Sequence, residues 1–552
     1  MEHAVDVAII GAGISGICAA IILKKQLKDG ANIIIYEKAG SLGGTWRDNV
    51  YPVRAFLCGF KASIDPDLWP PRVRPRILSP PLYCLSSFPN NFSPGIMASQ
   101  SEMLAYMNDI IDQNCLRSNI QCNTQLTSAV WDPSTHRYRL SLEDTITNET
   151  SVTTSQALVA ASGILSAPRM PRVPGMGEFE GKMFHSSRWE SDVDLRNRGV
   201  AVIGNGASAA QVIPGIVAVE GIKVTQFMKK PNWHLAAFSS GNPETQKRIR
   251  ESRYIFRITR MSWYLLLEVV YLMVYGSDLL RPLAMKISKN YTLKAAPAKY
   301  HDMLIPDYPI GCRRIIFDTS YFESLRRDNV RLVNQPVKRM TETGVITGDG
   351  QYLDFDVIIA ATGFDTHLTP LSIRGKTKTL QEYYADCGGP EAYLGTMVPG
   401  FPNLFILGGP NSATAYMPFP FLVECQMNLV LPLIRRLGST DIDTIEVTQR
   451  ASNKYNRTLR KRFRNSVWNT FAGRSYKTEE SGKHTFLFPG CATLFWWWTR
   501  SPRWQDFLVN GKIYKPRRMS RLTTAIFAAM FLVIILVVVL VTLDKKHDRR
   551  LT

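Results

Sequence analysis

The sequence predicts an α/β fold with two separate parallel-sheet domains. Two strand-turn-helix signatures predict it, because each places a glycine-rich turn between an apolar strand and a helical segment, at Gly11 and at Gly204. A third observation is the length of 552 residues with 45% apolar content, which is ordinary for folded protein but exceeds what one hydrophobic core usually serves. More than one domain is therefore expected.

Charge and cysteine content exclude several classes of protein. The net charge is +20, but the basic residues are not gathered into one module with interleaved aromatics, so no nucleic-acid partner is expected. The cysteines are scattered without a Cys-x-x-Cys pair, which argues against a disulfide framework or a zinc site. The sequence therefore predicts no metal and a reducing compartment.

The first signature has the spacing of a dinucleotide-binding turn. The strand VAII precedes Gly11, Gly13 and Gly16, and the helical stretch ICAAIILKKQL follows them. Gly11 permits the tight turn, Gly13 lets the backbone approach a pyrophosphate, and Gly16 lets the helix pack on the strand. The next strand ends at Glu37, about 20 residues further on, where a carboxylate accepts hydrogen bonds from a ribose. A Rossmann-like domain is predicted here.

The second signature repeats this order of elements with a different charge. The strand VAVI precedes the turn, and Ala209 holds the place of the third glycine, a small change that still permits close packing. Lys229 and Lys230 follow the next strand where an acid would otherwise stand, and cations there favour the 2′-phosphate of NADP. The candidate contacts of this turn are Gly204, Asn205, Gly206, Ala207, Ser208, Ala209, Ala210 and Gln211.

Further motifs give a family resemblance. The segment FEGKMFHSSRW fits the pattern F-x-G-x-x-x-H-x-x-x-W at Phe179, Gly181, His185 and Trp189, just before the second glycine turn. It resembles the fingerprint of Baeyer–Villiger flavin monooxygenases, and the resemblance spans residues 5–510. The supporting motifs are Gly43-Gly44-Thr45-Trp46, Tyr51-Pro52, Ala361-Thr362-Gly363 and Gly409-Pro410-Asn411-Ser412.

The resemblance implies a domain for FAD that is interrupted by a domain for NADP. The implied division is 1–170 and 366–511 for FAD, 171–365 for NADP with a helical insertion at 238–306, and 512–521 as a basic linker. On the flavin side, the resemblance implies cofactor contacts at Gly44, Thr45, Trp46, Arg47, Asp48 and Tyr83.

The chemistry also follows from the resemblance. Members of this family use NADPH, FAD and molecular oxygen to convert a ketone into an ester or lactone through an anionic C4a-peroxyflavin. The segment PIGCRRIIFDTSYF resembles the stretch with the family's active-site arginine, which implies this role for Arg314 and a 2′-phosphate contact for Arg313. A guanidinium suits the task because it stays charged at any working pH and stabilises developing negative charge.

One segment departs from the family pattern. After Tyr51-Pro52 the family has a glycine and then an aspartate that orients the arginine, whereas Val53 and Leu57 hold these places here. Matching backwards from the downstream stretch that ends near Tyr83 places Ile77 at the acid. The connection between these points is rich in proline and arginine and longer than that of the family.

Two interpretations of this connection remain. It is a genuine loop from which Asp65 or Asp67 returns to Arg314, or part of residues 53–77 is foreign to the fold, such as an unspliced intron in the gene. We lean to the second interpretation. If the protein lacks the acid, Arg314 loses its partner, and oxygenation is expected to be weak or absent.

The carboxy-terminal region has the pattern of a membrane anchor. Residues 522–543 contain no charge, and 22 residues at about 1.5 Å each cross a hydrocarbon core of about 30 Å. Basic clusters flank this segment, and 544–552 forms a basic tail. The amino terminus lacks a signal-peptide pattern, so we expect a single-pass, tail-anchored protein with its catalytic domains facing the cytosol, at the endoplasmic reticulum. A second apolar stretch, 263–276, is short and contains Glu268, so a core or surface helix is expected there.

The competing classes differ at few positions. A flavin disulfide reductase needs a cysteine pair after the Gly-Gly-Thr, where Trp46 stands instead. An N- or S-oxygenating flavin monooxygenase and a membrane-anchored, FAD-binding pseudoenzyme remain as alternatives. By analogy with fungal relatives, the apolar insertion and the aromatic run 495–498 favour a bulky hydrophobic ketone from polyketide or terpenoid secondary metabolism, although the tryptophans would equally suit a core or an interfacial belt.

Overall fold

The computed structural model describes residues 4–27, 30–52, 100–237, 252–365, 371–437, 441–469 and 481–514. Several sequence predictions concern residues outside these ranges, and they stay predictions: the anchor 522–543 with its basic flanks, and the positions of Val53, Leu57, Asp65, Asp67, Ile77 and Tyr83.

The described residues form strands and α-helices in an irregular order along the chain. The strands are β1 Ala4–Ile10, β2 Ile33–Tyr36, β3 Ile120–Gln121, β4 Thr124–Asp132, β5 Arg137–Asp144, β6 Thr150–Ala160, β7 Lys182–His185, β8 Gly199–Ile203, β9 Lys223–Phe227, β10 His234–Ala236, β11 Ile316–Asp318, β12 Val330–Val333, β13 Val337–Met340, β14 Gly344–Thr347, β15 Tyr352–Asp354, β16 Val357–Ala360, β17 Ile373–Arg374, β18 Leu404–Ile406, β19 Ile445–Val447, β20 Phe507–Val509 and β21 Lys512–Ile513. The α-helices are α1 Ile14–Gln26, α2 Thr45–Asp48, α3 Gln100–Gln113, α4 Ala207–Ile216, α5 Arg253–Tyr271, α6 Arg281–Ala295, α7 His301–Leu304, α8 Tyr321–Ser324, α9 Leu380–Asp386, α10 Phe419–Leu437, α11 Gln449–Arg464 and α12 Ala492–Thr499.

The first sheet combines early and late parts of the chain. Its order is β17-β4-β5-β6-β1-β2-β3, and β18 also pairs with β6. β1 runs parallel to β2 and β6, whereas β4, β5 and β6 form an antiparallel meander. β17 and β18, which follow the second sheet in the chain, add to it in parallel. The segment between β6 and β17 therefore forms an excursion out of this sheet.

That excursion contains the second sheet. Its order is β12-β9-β8-β16-β7, and the paired strands are parallel throughout. Because parallel strands end at one edge of a sheet, the turn after β8, the end of β7 and the segment after β16 lie together at that edge. The predicted α/β class with two sheets, each with a glycine turn after a parallel strand, is confirmed, but the first sheet is mixed because β4, β5 and β6 are antiparallel.

Helices α5 and α6 form the described part of the predicted helical insertion, joined by a π-helical turn at Leu272–Gly276. The inner side of this pair packs in the main hydrophobic core through Tyr264, Leu267, Val274, Tyr275 and Ala284. Within the described residues, no single helix is long and apolar enough to cross a membrane. The pair Met261–Gly276 and Arg281–Ala295 reaches the required length and composition only together, and it is bent by 103°.

The apolar helix α5 contains one carboxylate, that of Glu268, and its hydrogen bonds explain why an acid lies there. Its carboxylate accepts hydrogen bonds from the backbone N–H of Thr493 at 3.0 Å and from the Thr493 hydroxyl at 3.1 Å. The first turn of α12 has orphan N–H groups that a carboxylate satisfies. Glu268 therefore ties the insertion to the start of α12.

The aromatic run at residues 495–498 divides between the core and the surface. Phe495 is fully buried against Phe488, and Trp498 contacts the same ring edge-on at 5.5 Å. Trp497 is exposed, and the guanidinium of Arg500 lies 3.5 Å from its ring centroid. The core interpretation is therefore confirmed for part of the run, and the interfacial-belt interpretation stays a prediction.

Candidate active site

The first glycine turn has room only for glycine at two of its positions. Gly11 has φ +108°, and a Cβ there would lie 2.7 Å from the carbonyl oxygen of Ala161. A Cβ on Gly16 would lie 1.9 Å from the carbonyl oxygen of Gly11, so helix α1 touches the turn directly. No acidic residue occupies the first turn of α1, and its N–H groups remain suited to a phosphate.

The Gly43-Gly44 turn closes over the first glycine turn. A Cβ on Gly44 would lie 3.1 Å from the Cα of Gly13, and Gly44 has φ +52°. The two turns thus approach each other through bare backbone, and α2 starts at Thr45 directly afterwards, with Trp46 buried beneath it. A diphosphate fits a cradle of this kind, since side chains at either glycine would fill it.

The Glu37 carboxylate holds several parts of this cradle together by hydrogen bonds. The carboxylate, which is 5% exposed, accepts hydrogen bonds from the backbone N–H of Ala12 at 2.8 Å and of Ala39 at 3.1 Å, and from Nη1 of Arg47 at 3.1 Å. A carboxylate has about four acceptor positions, so one remains for a ribose hydroxyl. The sequence predicted the ribose contact, but it did not indicate that Glu37 also fixes the glycine turn.

Arg47 and Asp48 form a second polar layer on α2. Nε and Nη2 of Arg47 donate to one oxygen of Asp48 at 2.8 and 2.7 Å. Burial lowers the pKa of Arg47, but the bonds and charges of Asp48 and Glu37 outweigh that effect and raise the pKa overall. The other oxygen of Asp48 lies 3.6 Å from Nη1 of Arg188, which belongs to the fingerprint segment. This ion pair connects the two dinucleotide-binding units, and nothing in the motif spacing pointed to Arg188.

The second glycine turn leaves open space where a pyrophosphate would bind. Gly204 has φ +127°, and a Cβ there would lie 2.4 Å from the carbonyl oxygen of Ala361, whereas a Cβ on Gly206 would meet no atom within 4 Å. Gly206 is the N-cap of α4, which has no acidic residue in its first turn. Ala207 and Ser208 are half-buried there, and Ala209, Ala210 and Gln211 are buried.

The cations predicted to recognise a 2′-phosphate lie beside this turn. The side-chain amide of Asn205 donates to the carbonyl oxygen of Lys230 at 2.5 Å, and Lys229 is exposed. The Arg313 guanidinium lies 5.4 Å from the ring of Tyr308, whose hydroxyl donates at 2.6 Å to the carbonyl oxygen of Pro231, the residue after the lysines. Arg313 therefore belongs to the same end of the second sheet as the lysines.

Arg314 lies in a different environment from its neighbour. Arg314 lines a small surface cleft together with Ala207, Ala210 and Gln211 of α4. Its side chain is exposed and makes no hydrogen bond or ion pair within the described part of the chain. The two consecutive arginines therefore lie in different places. Arg313 lies near the end of β9, and Arg314 lies near the start of α4.

The fingerprint histidine is fixed in one neutral form. The Nδ1 atom of His185 accepts from the backbone N–H of Ser187 at 3.1 Å, so Nε2 carries the proton and donates to the carbonyl oxygen of Gly363 at 2.9 Å. Burial lowers the pKa of His185, which agrees with a neutral ring. His185 thus joins the end of β7 to the Ala361-Thr362-Gly363 motif and acts in positioning.

The remaining fingerprint residues pack the same corner. A Cβ on Gly181 would lie 2.5 Å from the Phe179 ring, which explains the glycine. The ring of Trp189 meets Phe184 edge-on with centroids 5.2 Å apart. Phe179, Gly181 and Trp189 therefore pack the protein around His185.

Tyr51 joins the flavin side to the helix of the second turn. Its hydroxyl donates to Oε1 of Gln211 at 3.0 Å, and its ring is buried in the core of the second sheet. A Cβ on Gly215 would lie 1.8 Å from the carbonyl oxygen of Pro52, so the chain presses directly on α4 here. Tyr51-Pro52 entered the sequence analysis only as a motif, and its role as a bridge was missed.

Comparison with known proteins agrees with this geometry. The flavin-binding monooxygenase-like family model matches residues 4–246. A Baeyer–Villiger monooxygenase of Pseudomonas aeruginosa is 30% identical over 500 residues, covering 89% of this chain and 88% of the relative. A FAD-binding monooxygenase of Aspergillus niger is 28% identical and covers 92% of this chain and 82% of the relative. The solved structure of OTEMO in complex with FAD and NADP has a TM-score of 0.73 at 25% identity, covering 92% of this chain and 100% of that one.

The family resemblance inferred from the motifs is therefore confirmed. The similarity extends over both sheets and the segments between them, and is not confined to one glycine turn. The chain belongs to the flavin-binding monooxygenase-like family and is a flavin monooxygenase of the Baeyer–Villiger type.

Proposed function

We propose that this FAD- and NADPH-dependent monooxygenase oxidises a bulky hydrophobic ketone to an ester or lactone, with Arg314 as the catalytic cation. The observation that carries the proposal is the place of Arg314 in the cleft at the start of α4, beside Gln211 and hence beside the Tyr51 bridge to the flavin side. A guanidinium at this junction lies beside the second glycine turn and beside the residue that bonds Tyr51. Its permanent charge stabilises negative charge that develops on the reacting oxygen and carbonyl atoms.

When bound, NADPH supplies hydride, and FAD passes the electrons to molecular oxygen. The protein's residues bind and orient these groups. The two glycine turns offer backbone N–H groups to the diphosphates, Glu37 keeps an acceptor for the ribose of FAD, and Lys229 with Arg313 provides charge for the 2′-phosphate. The neutral His185 holds the strand-end motif against the fingerprint segment without adding a charge to the site.

A polyketide or terpenoid intermediate of secondary metabolism is the substrate class that we propose. The similarity to a FAD-binding monooxygenase of the fungus Aspergillus niger supports this proposal. The apolar outer side of the helical insertion supports delivery of a hydrophobic compound, since exposed apolar side chains such as Leu265 and Leu272 are unusual on a surface helix.

We further propose that the protein is held at a membrane by residues 522–543, with its catalytic domains on the cytosolic side, at the endoplasmic reticulum. The unbroken apolar run supports the anchor. The cysteines, which are scattered without a Cys-x-x-Cys pair, support a reducing compartment. Extraction of isolated membranes with alkaline carbonate tests the anchor: the protein should stay with the membrane, and release by carbonate would contradict the proposal.

The direct test of function is incubation of the purified protein with NADPH, oxygen and a panel of cyclic, steroidal and long-chain ketones. Ester or lactone formed with one oxygen atom added and with equivalent NADPH consumed supports the proposal. An amine or sulfide oxide would support the N- or S-oxygenating alternative, and bound flavin without turnover would support the pseudoenzyme. Comparing metabolites with and without the gene then identifies the natural ketone by a mass shift of one oxygen.

A further inference from the structure

The outer side of α5 is apolar where a surface helix is normally polar. The exposed large apolar side chains of this helix and the turn after it fall within an arc of about 120° at 100° per residue. Leu265 is 55% exposed and Ile258 67% exposed, while the opposite side packs in the core. The members of this stripe are Tyr254, Ile255, Ile258, Leu265, Leu266, Val269 and Leu272.

Exposed apolar side chains also occur beyond the 103° bend, on α6 and on the turn before it. Leu279 at the bend is 92% exposed, and Leu283 and Ile287 on α6 are 52% and 48% exposed. Exposed apolar side chains in this number on one helix pair mark a contact with another apolar phase or molecule. We name this surface the insertion face; it consists of the α5 stripe together with Leu279, Leu280, Leu283, Ile287 and Leu293.

The charge around the insertion face is positive. Helix α6 contains three lysines and no acidic residue, and Lys286 and Lys294 lie on the same side of the helix as Leu283 and Ile287. Arg281 is ion-paired with Asp278 at the bend, so this pair adds no net charge. In α5, the acid Glu268 is turned inward to Thr493 and leaves the outer side without negative charge. Apolar residues flanked by lysines match a bilayer surface with anionic headgroups.

We propose that the insertion face docks on a membrane and buries its leucine and isoleucine side chains among the headgroups and upper acyl chains of one leaflet. The inner side of α5 is committed to the protein core through Tyr264 and Leu267, so the helix lies in the membrane plane and does not cross it. The sequence of residues 522–543 supplies an independent reason for a membrane to be near.

The docked face brings the reacting site close to a hydrophobic reservoir. The start of α4 and the cleft of Arg314 belong to the same unit from which the insertion emerges, between β10 and β11. A ketone dissolved in the leaflet would then enter through the insertion without passing through water. The proposal concerns the docking surface itself and holds whether or not the chain oxidises a ketone.

The test uses the full-length FAD-loaded protein bound to vesicles of phosphatidylcholine and phosphatidylserine that contain a photoactivatable diazirine lipid. After irradiation, mass spectrometry maps the lipid adducts on peptides. The proposal predicts adducts on the outer residues of α5 and α6 in addition to any on residues 522–543. Adducts confined to residues 522–543, or absent from α5 and α6, would overturn it, and would mean that the tail, a second copy or water covers the face.

Variants keep the test specific. Replacing Val269→Glu and Leu283→Glu together should reduce the adducts on both helices by at least about tenfold, because two carboxylates must then leave water or keep the face out of the bilayer. The matched control is Ile146→Glu with Met176→Glu, two exposed apolar residues elsewhere, which should leave the adducts unchanged. Flavin content in both variants reports on folding. Equal adducts in the variant and the control would contradict the proposal.

A charge-reversal pair tests the lysines separately. Lys286→Glu with Lys294→Glu should weaken the dependence of helix labelling on phosphatidylserine, whereas Lys223→Glu with Lys338→Glu, at exposed positions on the sheets, should not. If the unaltered protein is labelled on α5 and α6 to the same extent with and without phosphatidylserine, charge has no part in docking. That result would overturn this part of the proposal.

Discussion

The hydroxyl of Tyr51 donates a 3.0 Å hydrogen bond to Oε1 of Gln211, and both residues are buried. This bond connects the segment after α2 on the flavin side with the helix that follows the second glycine turn. Gln211 also lines the cleft of Arg314. Geometry at the proposed reacting site therefore depends on a contact between the two dinucleotide-binding units.

Removal of this bond should loosen the coupling of the two units. Tyr51→Phe leaves the buried Gln211 amide oxygen without its donor, which is expected to lower the free energy of unfolding by about 1–2 kcal/mol. It should also reduce the yield of oxygenated product per NADPH consumed. Urea denaturation and product analysis measure the two effects. Tyr352→Phe, at an exposed tyrosine of β15, is the control, and a Tyr51→Phe protein as stable as the control would contradict the role of the bond.

Glu37 should be required for retention of FAD. In Glu37→Gln, an amide NH₂ replaces one acceptor oxygen and faces the donors that now bond the carboxylate, Ala12 N–H, Ala39 N–H and Arg47. With charge-assisted bonds worth about 1.5–3 kcal/mol, FAD affinity should fall by roughly tenfold to a hundredfold. The ratio of flavin to protein after dialysis measures this. Glu178→Gln, which loses an exposed pair with Arg339, should keep its flavin, and full flavin retention in Glu37→Gln would refute the assignment.

The coenzyme preference should depend on the basic residues at the end of β9. Lys229→Ala with Arg313→Ala removes charge that is expected to face the 2′-phosphate, so KM for NADPH should rise by roughly tenfold or more while KM for NADH changes little. Steady-state oxidation of the two coenzymes gives the comparison. Lys338→Ala serves as the control at an exposed lysine. Equal increases of KM for both coenzymes would show that the two residues do not read the 2′-phosphate.

Acid should destabilise the fold through His234. Its ring is buried between Tyr321 and Phe322, and burial lowers its pKa to about 4. The unfolded chain takes up the proton first, near pH 6.5, so this contribution to stability is complete above that pH and is lost as the pH falls towards 4. Between pH 7 and pH 5 the loss should be about 2 kcal/mol.

The variant His234→Phe keeps an aromatic ring at this place and removes the titration. Urea denaturation at several pH values should therefore give a flatter dependence for His234→Phe than for the unaltered protein. His136→Asn, at an exposed histidine with φ 55°, should keep the original slope. An unchanged slope in His234→Phe would show that His234 does not cause the acid sensitivity.

Motif spacing was sufficient to predict the two nucleotide turns. At positions such as Gly11 and Gly16 a side chain would clash with the backbone, so only glycine fits and the motif can be recognised in the sequence. The parallel topology then follows, because a strand, a glycine turn and a helix build a βαβ unit in one way. The neutral state of His185 could not be predicted, since it depends on Ser187 and on Gly363, which is distant in the chain.

The contacts between the two dinucleotide-binding units could not be predicted from the sequence, because they join residues that are distant in the chain. Arg188 fits no motif, and its ion pair with Asp48 forms only when the second sheet packs beside α2. The divergence of Arg313 and Arg314 is also a result of tertiary structure, because adjacent side chains of an irregular segment point in unrelated directions. Glu268 was interpreted correctly as an argument against a membrane span, but its partner Thr493 lies on a helix far along the chain.

The ratio of ester formed to NADPH oxidised in Arg314→Ala tests the central claim most directly. The account predicts that NADPH oxidation persists while ester formation falls by about a hundredfold, the usual effect of losing one group that stabilises developing negative charge. Arg331→Ala, at an exposed arginine of β12, should behave as the unaltered protein. Ester formation by Arg314→Ala at the rate of the unaltered protein would contradict the claim.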